Sequence, residues 1–134
     1  MQGERIPPRD LSTTTRAENF DAYSGIRLVD ESKASCTAVG SVAAGEWICF
    51  QDTALTGHPA TFTARVAQDS AGTAPLHVRL DSPTGPPLGT ATVPGTGDRY
   101  TYTAVSAPLA AASGRRDVYP VLGADIRLSV FTVR

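Results

Sequence analysis

The sequence predicts an all-β fold, a sandwich or barrel, on three observations. Ten prolines and 12 glycines are spread along the chain and divide it into short segments. The runs between them are rich in Thr, Val, Tyr and Phe, which fit a pleated, half-buried surface. Several of these runs alternate apolar and polar residues with period two, as a strand with one buried face must. The helix-friendly patch, Leu109–Ala112, is too short to nucleate more than a turn.

Taken in order, residues 1–14 are polar, with Pro7-Pro8 and the start of a Thr13–Thr15 run, and are expected to be a linker or tail before a domain at 15–134. Thr37–Val42 and Glu46–Phe50 flank Ala43-Ala44-Gly45, a hairpin spacing. In Thr61–Gln68, Phe62, Ala64 and Val66 share one face and Thr63, Arg65 and Ala67 the other. Leu76–Asp81 turns Leu76, Val78 and Leu80 inward and His77, Arg79 and Asp81 outward. Ser82-Pro83-Thr84-Gly85-Pro86-Pro87 then breaks the ladder, because proline lacks the amide donor. Pro94–Gly97 and Gly114–Asp117 are expected to be further turns. Ile126–Val133 closes the chain, with Ile126, Leu128, Val130 and Thr132 expected on one side. About nine or ten strands result, the pattern of a sandwich or barrel.

At 134 residues the chain makes one domain, large enough to bury a core without a metal or disulfide. Twelve basic and 13 acidic residues give a net charge of −1, so the basic footprint of a nucleic-acid binder is absent. No stretch approaches the roughly 18 consecutive apolar residues of a membrane helix. The segment MQGERIPPRDLSTTT has no apolar core of a signal peptide. The chain is therefore expected inside the cell if Met1 is the native start, or secreted as part of a larger protein if the leader lies elsewhere.

The residues for catalysis are sparse. His58 lies in a turn before Pro59 and His77 on a strand's polar face, and neither belongs to an HxH or HExxH spacing that would hold zinc. There is no G-x-S-x-G elbow and no phosphate-binding glycine loop. The carboxylates are scattered and are expected on solvated strand faces and turns. Cys36 and Cys49 flank the expected hairpin. A disulfide there would contribute roughly 2–4 kcal/mol in an exported protein, whereas in the cytosol both would be ordinary thiols. Trp47, the single tryptophan, alternates with Ile48 and Phe50. Those two make the better core pair, which turns Trp47 outward as a platform for the flat C–H face of a sugar. The alternative is a structural indole packed under a loop.

The order of segments carries a resemblance. Ala17-Glu18-Asn19-Phe20, Tyr23-Ser24-Gly25-Ile26, Val39-Gly40-Ser41-Val42 and Gly45-Glu46-Trp47-Ile48 come first. Thr63–Ala67, Val78–Asp81, Leu88-Gly89-Thr90, Val93–Gly97 and Leu128–Phe131 follow. Together they resemble a family 6 carbohydrate-binding module, the β-jelly-roll of two antiparallel sheets often appended to glycoside hydrolases, over residues 15–133. The resemblance implies a structural calcium held by the carboxylates of a Glu-Ala-Glu opening and a closing Asn-x-Asp. Here Arg16 replaces the first Glu, Glu18 keeps the second, and the closing motif is Arg127-Leu128-Ser129. A calcium site lost or much weakened is expected, with Arg16 pairing to Glu18 in place of the ion.

The resemblance also implies a sugar site in the loops at one end of the sandwich, built on two aromatic rings and an Asn. The matching positions are Ser41, Arg99 and Arg127, so both stacking rings are missing unless Tyr100 or Tyr102 substitutes. Arg99 and Arg127 would make it a cationic pocket suited to an anionic group. A second site on the concave sheet face is implied for some members, built on a Trp and a carboxylate from a later strand. Trp47 matches the Trp, and Asp81 lies in the region of the carboxylate.

The function these features predict is a non-catalytic module. It would hold a covalently linked glycoside hydrolase on a polysaccharide, with neither nucleic acid nor membrane as partner. Two alternatives compete. One is a repurposed jelly roll without calcium or the usual sugar site, acting as an interaction domain or a small intracellular enzyme. The other is a structural spacer.

Overall fold

The computed structural model describes residues 11, 15–30, 37–55, 61–68, 72–85, 87–97, 101–110 and 114–133. Among them are 11 strands: β1 (Thr15–Arg16), β2 (Ala22–Ser24), β3 (Arg27–Asp30), β4 (Thr37–Gly40), β5 (Glu46–Leu55), β6 (Thr61–Gln68), β7 (Thr73–Leu80), β8 (Pro87–Pro94), β9 (Thr103–Pro108), β10 (Gly114–Leu122) and β11 (Ile126–Val133). A single 3-10 turn, Ala17–Asn19, follows β1. One sheet runs β3-β4-β11-β6-β9, with β1 also pairing β11; the other runs β2-β5-β10-β7-β8. Every pairing is antiparallel, and the two sheets face each other as a β-sandwich jelly roll, the expected fold.

The core between the sheets is filled by the apolar half of each alternation. Phe62, Ala64 and Val66 of β6, and Leu76, Val78 and Leu80 of β7, are all buried. Phe131 centres an aromatic cluster, 5.1 Å from the Phe50 ring and 5.9 Å from Phe62. Burying each such ring contributes about 1.5–3 kcal/mol.

Three expectations are corrected. Ala43-Ala44-Gly45 is no hairpin turn but the crossover between sheets, because β4 pairs β3 and β11 while β5 pairs β2 and β10. The crossover is tied to the β10–β11 connection: Ser41 Oγ donates to Gly123 O at 2.6 Å and accepts from Ile126 N at 2.9 Å, and Gly45 N donates to Leu122 O at 2.9 Å. Periodicity shows that two segments are strands but not that they pair. Next, Gly114–Asp117 opens β10 rather than forming a turn, with Arg115 and Arg116 opposite Ala54 and Thr53.

In β11 the register shifts between Leu128 and Phe131. One inserted residue flips the following side chains to the other face, so Phe131 and Val133 are buried where Val130 and Thr132 were expected. Leu11, within the segment expected as a linker or tail, packs on the sandwich. Leu11 is buried in the core and its carbonyl accepts from Val133 N at 2.7 Å. His58 and Cys36 lie outside the described residues.

Candidate functional site

The outer face of the five-stranded sheet carries a groove. Ladder register sets Ser24 of β2, Trp47 of β5, Val121 of β10, His77 of β7 and Thr90 of β8 in one row across all five strands. Cross-strand partners share a face, and this one is opposite the face that buries Ile48 and Phe50. Trp47 is accordingly outward and half-buried, lining a cavity of about 630 Å³ with His77, Arg79, Pro83, Thr84 and Val121. That volume is within the roughly 300–1,000 Å³ of small-ligand sites, which mix apolar walls with a few fixed polar groups.

Its polar groups are held in place. His77 Nδ1 lies 2.8 Å from Thr90 Oγ1, and Arg79 Nη1 donates to Gly85 O at 2.8 Å, bracing the β7–β8 turn that forms one wall. Burial, then the Arg79 charge, lower the His77 pKa from its usual value, so the imidazole is neutral at pH 7. Tyr119, on the same face of β10, meets the indole edge to face at 5.1 Å and fixes its tilt. The hydrogen bond with Cys49, then burial, push the Tyr119 phenol up to about 12. Sequence alone does not mark Tyr119, His77 or Arg79 as neighbours of Trp47. The alternation Val118-in, Tyr119-out was the available signal, masked by reading Gly114–Asp117 as a turn.

Asp81 stands apart from the groove lining. Its backbone is left-handed (φ 69°), its N–H donates to Asp117 O at 2.9 Å, and its carboxylate is forked onto the Arg116 guanidinium, with Arg116 Nε 3.0 Å from Oδ1. The hydrogen bonds from Arg116 hold the exposed carboxyl below the usual carboxylate range. Asp52 (φ 53°) pairs with Arg115 in the same way, Arg115 Nε lying 2.6 Å from Oδ1. The described structure thus brings Trp47 to the groove and commits Asp81 to an ion pair at the end of β7.

At the loop end, Arg127 lines a second, smaller cavity with Arg27, Ser41 and Asp125, while Arg99 and Tyr100 lie outside the described residues. Ser41 is buried, its hydroxyl engaged with the backbone as above. Tyr102 lies elsewhere, its ring under the Arg65 guanidinium at 5.3 Å. Near the N-terminus Arg16 Nε donates to Glu18 Oε1 at 2.7 Å, the pairing expected where calcium would sit. Calcium takes six to eight oxygens, in number roughly, with carboxylate charge among them. A guanidinium on the one family carboxylate retained, and the buried Ser129 hydroxyl in place of another, do not fit that ion. Among the described residues no three or more His, Cys, Asp or Glu side chains gather as a metal site.

The chain is similar to known proteins along nearly its whole length. The family model described as Carbohydrate binding module (family 6) matches residues 16–133. Endo-1,4-beta-xylanase A of Thermoclostridium stercorarium is 31% identical over 124 residues, 92% of this chain but 24% of the xylanase, so the chain spans about a quarter of that relative. A family 6 module from Clostridium cellulolyticum, solved in complex with xylose, superposes with a TM-score of 0.86 at 31% identity, covering 94% of this chain and 99% of that one. A Clostridium stercorarium module in complex with cellobiose gives 0.85 at 26% identity, with 95% and 96% covered. With a groove-lining tryptophan on a jelly-roll sheet and a match across nearly its whole length, the chain belongs to carbohydrate-binding module family 6, a family of non-catalytic modules.

Proposed function

We propose that this module binds a neutral β-linked polysaccharide in the Trp47 groove and keeps a covalently linked, secreted glycoside hydrolase on that substrate. The observation that carries the reading is Trp47 itself, half-buried and outward in a row that crosses five strands. The indole offers an apolar plane for a pyranose ring, Val121 extends it, and His77, Thr84 and Thr90 offer donors and acceptors to sugar hydroxyls. With Nδ1 engaged by Thr90, the neutral imidazole gives or accepts one hydrogen bond at Nε2, as its tautomer dictates. The xylanase among the relatives, and the modules solved with xylose and cellobiose, favour a xylan- or glucan-type chain. Weak single-site binding gains effect through tethering, which raises the effective concentration of the linked enzyme at an insoluble substrate.

Trp47 fluorescence is followed while xylo- and cello-oligosaccharides are titrated, with Trp47→Ala in affinity gels containing xylan. A saturable spectral shift, and loss of retardation in the variant, are the expected results. An unresponsive, already blue-shifted Trp47, with wild type and variant migrating alike, would sink the groove assignment.

A further inference from the structure

The loop-end cavity, where the family resemblance implies a sugar site on two aromatic rings, is lined here by two arginines instead. Arg27 of β3 and Arg127 of β11 are both ladder partners of Gly40 of β4, so the order across the sheet is Arg27, Gly40, Arg127. Cross-strand partners project from the same face, and two strand spacings put the arginine Cα atoms roughly 10 Å apart. Between them is a residue with no side chain. A Cβ on Gly40 would come within 3.1 Å of Val29 Cγ1, so any other residue would fill the notch. The notch opens into a cavity of about 220 Å³ lined by Arg27, Val29, Ser41, Val42, Asp125 and Arg127.

The lining carries two guanidinium groups against one carboxylate, a net positive charge. Arg27 is exposed, and among the described residues its guanidinium is in none of the ion pairs. Arginine forks match a planar carboxylate with two parallel hydrogen bonds, which a neutral sugar hydroxyl does not offer. Val29 and Val42 supply apolar wall, and Asp125, at the left-handed turn before β11 (φ 58°), supplies an acceptor for a hydroxyl. The cavity is below the roughly 300–1,000 Å³ of drug-sized pockets, so it takes one sugar residue rather than a stretch of chain.

We propose that this notch binds the carboxylate of a uronic acid residue, giving the module a second, acid-sugar subsite separate from the Trp47 groove. The proposal rests on the reading of the chain as a glycan-binding module but not on Trp47. A uronate-bearing polysaccharide would then engage two faces of the module, one by stacking and one by charge.

The test compares affinity-gel retardation by polygalacturonate and by its fully methyl-esterified form, the same chain with its charge masked, at low ionic strength. Wild type, Arg27→Gln, Arg127→Gln and Trp47→Ala are run in both, with dextran sulfate as a third polymer. The expected result is about tenfold tighter retention by the acid than by the ester. Either arginine variant loses that preference, while Trp47→Ala keeps it. Arg27 is exposed, so Arg27→Gln, with melting temperature as a control, stands even if Arg127→Gln misfolds. Equal retention by acid and ester overturns the proposal, as does an undiminished preference in folded Arg27→Gln. Equal retention by dextran sulfate, insensitive to Arg27→Gln, also overturns it, because the attraction is then to any polyanion. If neutral xylan is ignored while the acid–ester preference and its arginine dependence persist, only the Trp47 reading fails.

Discussion

The Tyr119 hydroxyl hydrogen-bonds with the Cys49 thiol, so one side chain both tilts the groove indole and titrates abnormally. One of the four tyrosines should ionise only near pH 12 in a tyrosinate absorbance titration, because its hydrogen bond with Cys49, and then burial, favour the protonated phenol. Cys49→Ala should bring that transition down; an unchanged titration would remove the thiol as its cause. The folded state then holds this proton where the unfolded chain, with a tyrosine pKa of about 10, has released it. Stability contributed by Tyr119 is therefore complete below pH 10, roughly, and declines as pH rises towards about 12. Of the residues read as candidates from sequence, Trp47 faces the groove because strand alternation fixes its side. Asp81, expected beside Trp47, is instead paired with Arg116, 35 residues on, because nothing local in the sequence links the two.

Among the elements, the β4–β5 crossover depends most on a single polar side chain. Ser41 is 7% exposed, and its hydroxyl satisfies Gly123 O, Ile126 O and the Ile126 N–H. Ser41→Ala leaves those buried backbone groups without that partner and should cost about 1–3 kcal/mol in urea unfolding. A loss within a few tenths of a kcal/mol would mean that the crossover is held by other contacts. The sequence marked the strands well because each buries one face. It did not mark which strand pairs with which, nor the one-residue shift in β11. A bulge is set by neighbouring strands, here β6 and the short β1, rather than by anything in Leu128-Ser129-Val130-Phe131 itself.

For the whole molecule, the consequence of Arg16 is a sandwich that closes its N-terminal edge with an ion pair where the family resemblance implies calcium. The Arg16–Glu18 pair is partly exposed, and such pairs contribute only about 0–1 kcal/mol. The wild type should therefore melt at the same temperature in calcium and in chelator. Exchanging Arg16→Glu together with Ser129→Asp restores the carboxylates and should make melting calcium-dependent. No response in the double variant would show that the alignment of those positions is mistaken. The 3-10 turn carrying Glu18 packs on β4 and β11, so this edge is part of the fold's closure and its occupancy is measurable as stability.

The sequence by itself determined the class of fold, the inward faces of β5, β6 and β7, the outward turn of Trp47 and the charge conflict at Arg16. The first three follow from local alternation, and the last from finding Arg16 where the family resemblance implies a calcium-binding carboxylate. Only the tertiary structure decided that Ala43–Gly45 crosses between sheets, that Tyr119 and Val121 flank the indole, and that Arg27 and Arg127 share Gly40. Those juxtapositions join residues as far as 100 positions apart in the chain, counting from 27 to 127. They are set by strand register, which the packing of two whole sheets fixes and no single segment encodes.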